Sequence, residues 1–142
     1  MEKAQYIVKK RMRVEGIGGR VNLPYGTRLE AVDGLILYNG AAVCATTSRN
    51  AHLYLARNDD GRGLERGALT TAITKRLEKR DKGYQDRWDL VWEDETSQKY
   101  RHPDHEDHFL WGHAFYEAPV EDLQHIADLI GARRCRPWTA QK

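Results

Sequence analysis

The chain has 142 residues and a mass of 16.4 kDa, with 23 basic and 21 acidic side chains for a formal charge of +2. At 40% hydrophobic it can bury a core, which argues against wholesale disorder, while 31% charged residues and a mean hydropathy of −0.76 predict a densely charged surface. No apolar run approaches the ~18 residues of a membrane span, the first residues lack a secretory signal, and two cysteines make no disulfide framework, so a cytoplasmic protein is expected.

Residues 1–47 read as a curled antiparallel β meander or a small SH3-like barrel. Tyr6 to Val14 has the look of an exposed strand, with Ile7, Lys9, Arg11 and Arg13 sharing one face if alternation holds. Gly16 to Gly19 connects it to the next segment, and Pro24-Tyr25-Gly26 is a turn signal. Asp33-Gly34 and Asn39-Gly40 each separate short apolar runs. Both dipeptides accept positive φ and suit the type I′ turns of tight hairpins.

From Ser48 the period becomes helical, and residues 48–131 are expected to form a helical module packed on the sheet. Ser48 can cap a helix through Arg57. Leu64 to Arg80 places Leu69, Ala72, Ile73 and Leu77 on one stripe. Arg87 to Asp94 aligns Trp88, Val91 and Trp92, and a further helix should begin near Pro103. The last helix has Pro119 at its start, Leu123, Ile126, Ala127 and Ile130 as its apolar stripe, and Gly131 as its stop. Residues 132–142 read as a basic flexible tail. The expected class is therefore α+β.

Charge is distributed unevenly along this order. Residues 1–28 hold seven basic side chains against two acidic ones, whereas residues 81–130 hold four against thirteen. A chain polarised in this way can offer two faces of opposite sign. The candidate basic face is Lys9, Lys10, Arg11, Arg13, Arg57, Arg62 and Arg66. The candidate acidic and aromatic face is Asp86, Trp88, Asp89, Trp92, Glu93 and Asp94.

Chemistry-bearing residues concentrate between His102 and His113. His102, Asp104, His105, Asp107, His108 and His113 are the residue types of a divalent transition-metal site, and His105 and His108 would share a helix face. Such a site would suit a metal-dependent hydrolase or nuclease. The spacing misses the His-Glu-x-x-His motif, because Phe109 stands where the second histidine belongs. A charged helix start, its histidines paired with neighbouring carboxylates and aromatic residues, accounts for the stretch more simply than a metal site, so no cofactor is the first expectation and a divalent transition metal the alternative.

Other motifs are quickly limited. Asn58-Asp59-Asp60-Gly61 lacks the flanking carboxylates of a calcium-binding EF-hand, since Ala56 and Gly67 fall at the first and last ligand positions, and it reads as a helix-capping loop. Gly61, Gly63 and Gly67 miss the dinucleotide spacing by one. Cys44 reads as a small core residue. Nucleic acid is a secondary expectation, because the acidic segment would repel it. The four tryptophans and seven tyrosines would also suit a homodimer interface.

Val21-Asn22-Leu23-Pro24-Tyr25-Gly26-Thr27, Asn58 to Gly61, and Arg101-His102 to Trp111 together resemble small uncharacterised accessory proteins of phages and prophages of Gram-positive bacteria. The resemblance spans residues 6–131. It implies a role inside a bacterial host cell, by stoichiometric binding to a host defence protein or its nucleic-acid complex, as with inhibitors of CRISPR–Cas effector nucleases. No catalytic residue carries over from that group.

Overall fold

Residues 3–16, 19–102, 104 and 113–133 are described in the computed structural model of the chain. The architecture is α+β, with an antiparallel sheet part followed by helices. The strands are β1 (Lys3–Val8), β2 (Met12–Gly16), β3 (Gly19–Leu23), β4 (Arg28–Val32), β5 (Leu35–Tyr38), β6 (Ala41–Ala45) and β7 (Leu55–Arg57). The helices are α1 (Arg49–Tyr54), α2 (Gly63–Glu78), α3 (Tyr84–Glu93), α4 (Glu95–Gln98), α5 (His113–Tyr116) and α6 (Val120–Ile130). No described helix is long and apolar enough to cross a membrane.

Two hairpins form where the turn dipeptides place them. Asp33 and Gly34 have φ of 50° and 84°, and Asn39 and Gly40 have 50° and 81°. Positive φ at both central positions is the type I′ geometry, whose twist matches the paired strands. These turns stitch β4, β5 and β6 into a five-stranded sheet of order β6-β5-β4-β1-β7. Strands β2 and β3 stand apart as a separate two-stranded ribbon.

The stretch Tyr6 to Val14 differs from the expected single exposed strand. It breaks at Lys9–Arg11, where the Lys9 and Lys10 amides donate to the Tyr54 carbonyl. Strand β1 lies inside the sheet, paired with β4 and β7, so Tyr6, Ile7 and Val8 are buried rather than exposed. The helix expected from Ser48 to Arg57 stops at Tyr54. Ser48 does cap it, accepting from the Asn50 amide at 3.1 Å, but Leu55–Arg57 leave the helix to pair with Tyr6–Val8. The sheet thus extends past residue 47.

The chain divides into two compact units, Met1–Gly67 and Ala68–Lys142, with the boundary inside α2. The first unit is centred on Tyr6, Val8, Leu29, Ile36 and Leu55, with Met12 and Leu23 of the ribbon in the same cluster. The second is centred on Leu69, Ile73, Leu77, Trp88, Val91, Phe115, Leu123 and Ile126. In α6 the apolar positions recur every three or four residues, so Val120, Leu123, Ile126, Ala127 and Ile130 are all buried. Gly131 ends the helix with φ of 70°. Helix α3 begins at Tyr84, a turn earlier than expected, and α2 ends at Glu78. Of the segment expected to be helical from near Pro103, Asp104 is described and is not in a helix, residues 113–116 form α5 with Phe115 fully buried, and the residues between lie outside the described ones. Most of the basic tail, residues 134–142, lies outside the described residues.

Candidate binding surfaces

The seven residues of the basic face fall into different environments. Lys9 is half-buried, and its stem lies so close to α2 that a Cβ on Gly67 would come within 2.8 Å of it. Burial pushes its ammonium down to about 7. Lys10 is exposed, with its Nζ 5.6 Å from the centre of the Tyr54 ring. Arg11 and Arg13 are exposed on and beside β2.

The three loop arginines are engaged with carboxylates. Arg57 pairs with Asp59 and lies 5.7 Å from the Tyr6 ring centre. Arg62 pairs with Glu65 at 3.0 Å. Arg66 is 4% exposed, donates to the Arg57 carbonyl at 2.6 Å, and pairs with Asp60. The hydrogen bond from Arg66 holds the Asp60 carboxyl below the usual carboxylate range.

The Asn58–Gly61 loop is a helix cap, as its composition indicates. Asn58 Oδ1 accepts from the Gly63 amide at 2.8 Å, and Asp60 Oδ1 from the Arg62 amide at 3.0 Å. Asp59 Oδ1 accepts from the Gln5 amide, tying the loop to β1. Only a glycine fits at 63, since a Cβ there would lie 2.5 Å from Ile7 Cγ2.

The acidic and aromatic set is also divided by the fold. Trp88 is 2% exposed and belongs to the core of its unit. Trp92 is half-buried beneath Arg101, whose guanidinium is 5.0 Å from its ring centre. Asp94 caps α4 by accepting from the Ser97 amide at 2.8 Å, and contacts His125 Nε2 at 2.7 Å. Burial opposes the charge on Asp94, but the bonds from His125 and Ser97 outweigh it and hold its carboxyl low.

Asp86, Asp89 and Glu93 remain together, one turn apart on the side of α3 turned from its core residues Arg87, Trp88 and Val91. Leu90 lies among them at 41% exposure, a residue the linear pattern did not single out. Its signal was present as the i, i+3, i+4, i+7 spacing of positions 86, 89, 90 and 93. Gln85 donates to Asp89 at 3.1 Å, and among the described residues neither Asp86 nor Glu93 makes an ion pair.

Of the candidate metal ligands, His102 accepts at Nδ1 from the Asp104 amide at 3.1 Å. His105, Asp107 and His108 lie outside the described residues, and His113 opens α5. Among the described residues no group of three or more His, Cys, Asp or Glu side chains converges. Cys44 is half-buried on β6, where burial raises its thiol pKa. Comparison of the chain with protein-family models, with curated proteins and with solved structures finds no match.

Proposed function

We propose that this chain is a binding protein that works by stoichiometric attachment to a partner, as an accessory protein of a phage or prophage acting on a host defence protein in the bacterial cytoplasm. A CRISPR–Cas effector nuclease, as a protein or as its nucleic-acid complex, is the proposed target. The observation that carries this reading is the outer face of α3, where Asp86, Asp89 and Glu93 surround the exposed Leu90. Carboxylates steer a basic partner toward the face, and an apolar side chain at its centre supplies area to bury on contact. Nucleases that hold nucleic acid carry such basic surfaces.

The test is a titration of a purified Cas9-type nuclease with this protein, reading cleavage and complex formation together. Inhibition should saturate at one equivalent. The Asp86→Lys/Asp89→Lys/Glu93→Lys variant should lose affinity at least tenfold while keeping its circular dichroism spectrum. Absence of a complex at micromolar excess would overturn the reading, as would turnover-like inhibition far below one equivalent.

A further inference from the structure

The β2–β3 ribbon has two unlike faces. Met12 pairs with Leu23 and Val14 with Val21, and these four residues face the core side. Met12 and Leu23 are buried and Val14 packs against the same cluster, but Val21 is 41% exposed. The half of the ribbon nearer the Gly16–Gly19 end therefore extends past the core. On the opposite face Arg13 pairs across with Asn22, and Glu15 with Arg20, all four exposed. Arg11, also exposed, precedes β2 in the same alternation.

The cations on this face are more accessible than Arg57 and Arg66, whose side chains are 32% and 5% exposed. Among the described residues neither Arg11 nor Arg13 makes an ion pair. Arg20 does pair with Glu15 at 3.1 Å, but the two side chains are 70% and 77% exposed. An exposed pair of this kind contributes little to stability, so Arg20 can exchange it for another anion at small cost.

We propose that the solvent face of this ribbon binds duplex DNA, entering the major groove with Arg11, Arg13, Arg20 and Asn22 toward the duplex. The dimensions agree. Two strands about 4.8 Å apart fit a groove about 12 Å wide. Five residues at about 3.3 Å each span about five base pairs. Arginine and asparagine are the side chains whose donors and acceptors match guanine and adenine edges, and arginine also neutralises phosphates. This surface lies in the other unit from the α3 face and does not depend on it.

Fluorescence anisotropy of a labelled 20-base-pair DNA with the full chain tests the proposal across a salt series. Three phosphate-neutralising arginines give an expected slope of log K against log salt of about −2.7. Arg11→Gln/Arg13→Gln/Arg20→Gln should weaken binding at least tenfold and bring the slope near zero. The matching Lys triple, which keeps the charge, should retain the slope. Arg28→Gln and Arg49→Gln, at exposed positions off the ribbon, should retain both affinity and slope. Equal loss in these controls would overturn the proposal. So would equal affinity for a duplex RNA of the same sequence, whose deep narrow major groove excludes a ribbon. Binding of poly-L-glutamate as tightly as DNA would assign the face to an acidic protein and overturn it too.

Discussion

Arg62 and Arg66 stand one turn apart in one cationic stretch, yet their side chains are 44% and 5% exposed. The difference follows from the loop before them. Asp60 and the Arg57 carbonyl are both presented to the buried Arg66 side chain, while the Arg62 side chain pairs with Glu65 at the surface. Arg66→Ala should lower the unfolding free energy by about 1–3 kcal/mol, because it leaves the Arg57 carbonyl without this donor and Asp60 without its pair. Arg62→Ala should cost no more than about 1 kcal/mol, as exposed pairs do. Chemical denaturation of both variants measures the contrast. The pH dependence has a definite sign. The Asp60 pKa is depressed in the folded state, so its contribution is present above the unfolded carboxylate value and fades as pH falls below about 4. The gap between wild type and Asp60→Asn should therefore narrow in acid. None of this was legible in the linear run of basic residues. Which cation is spent on a carboxylate depends on the loop that approaches it.

At the scale of elements, local signals specify hairpins and helices, whereas strand pairing between distant segments is not contained in them. Asp33-Gly34 and Asn39-Gly40 specify their own φ values, so both hairpins were readable from dipeptides. Helix α6 carries its start, stripe and stop within one short segment. Strand β7 could not be read in this way. Leu55–Arg57 follow a capped helical turn, and only their pairing with Tyr6–Val8, far away in sequence, makes them a strand. The same strand pairing removes β1 from the surface where alternation had placed it. The helical stripe does have a measurable consequence. Leu123 is fully buried, so Leu123→Ala should destabilise by about 2–5 kcal/mol, through lost transfer energy and the cavity left behind. Leu90→Ala, at 41% exposure on α3, should stay within about 0.5 kcal/mol. Thermal or urea unfolding distinguishes the two, and similar losses would contradict the burial of α6.

Across the whole molecule, the charge asymmetry and the division into two units lie nearly in register. Met1–Gly67 contains eleven basic and seven acidic residues, and Ala68–Lys142 contains twelve and fourteen. Surfaces of opposite sign on one chain attract those of other copies when salt is scarce, and the Debye length of about 10 Å at 0.1 M sets where this ends. Sedimentation should show concentration-dependent association at about 0.01 M salt and its disappearance by about 0.3 M. Identical sedimentation at both would mean that the two signs do not meet between molecules.

The amino-acid sequence by itself determined the class, the two type I′ hairpins, the final helix and the polarity of charge, because each rests on composition or on residues close together along the chain. Tertiary structure alone decided that β7 joins β1, that Trp88 and Arg66 are internal, and that β2 and β3 form a ribbon with an arginine face. Burial and strand partnership are properties of distant segments brought together, and no local window contains both sides of such a contact.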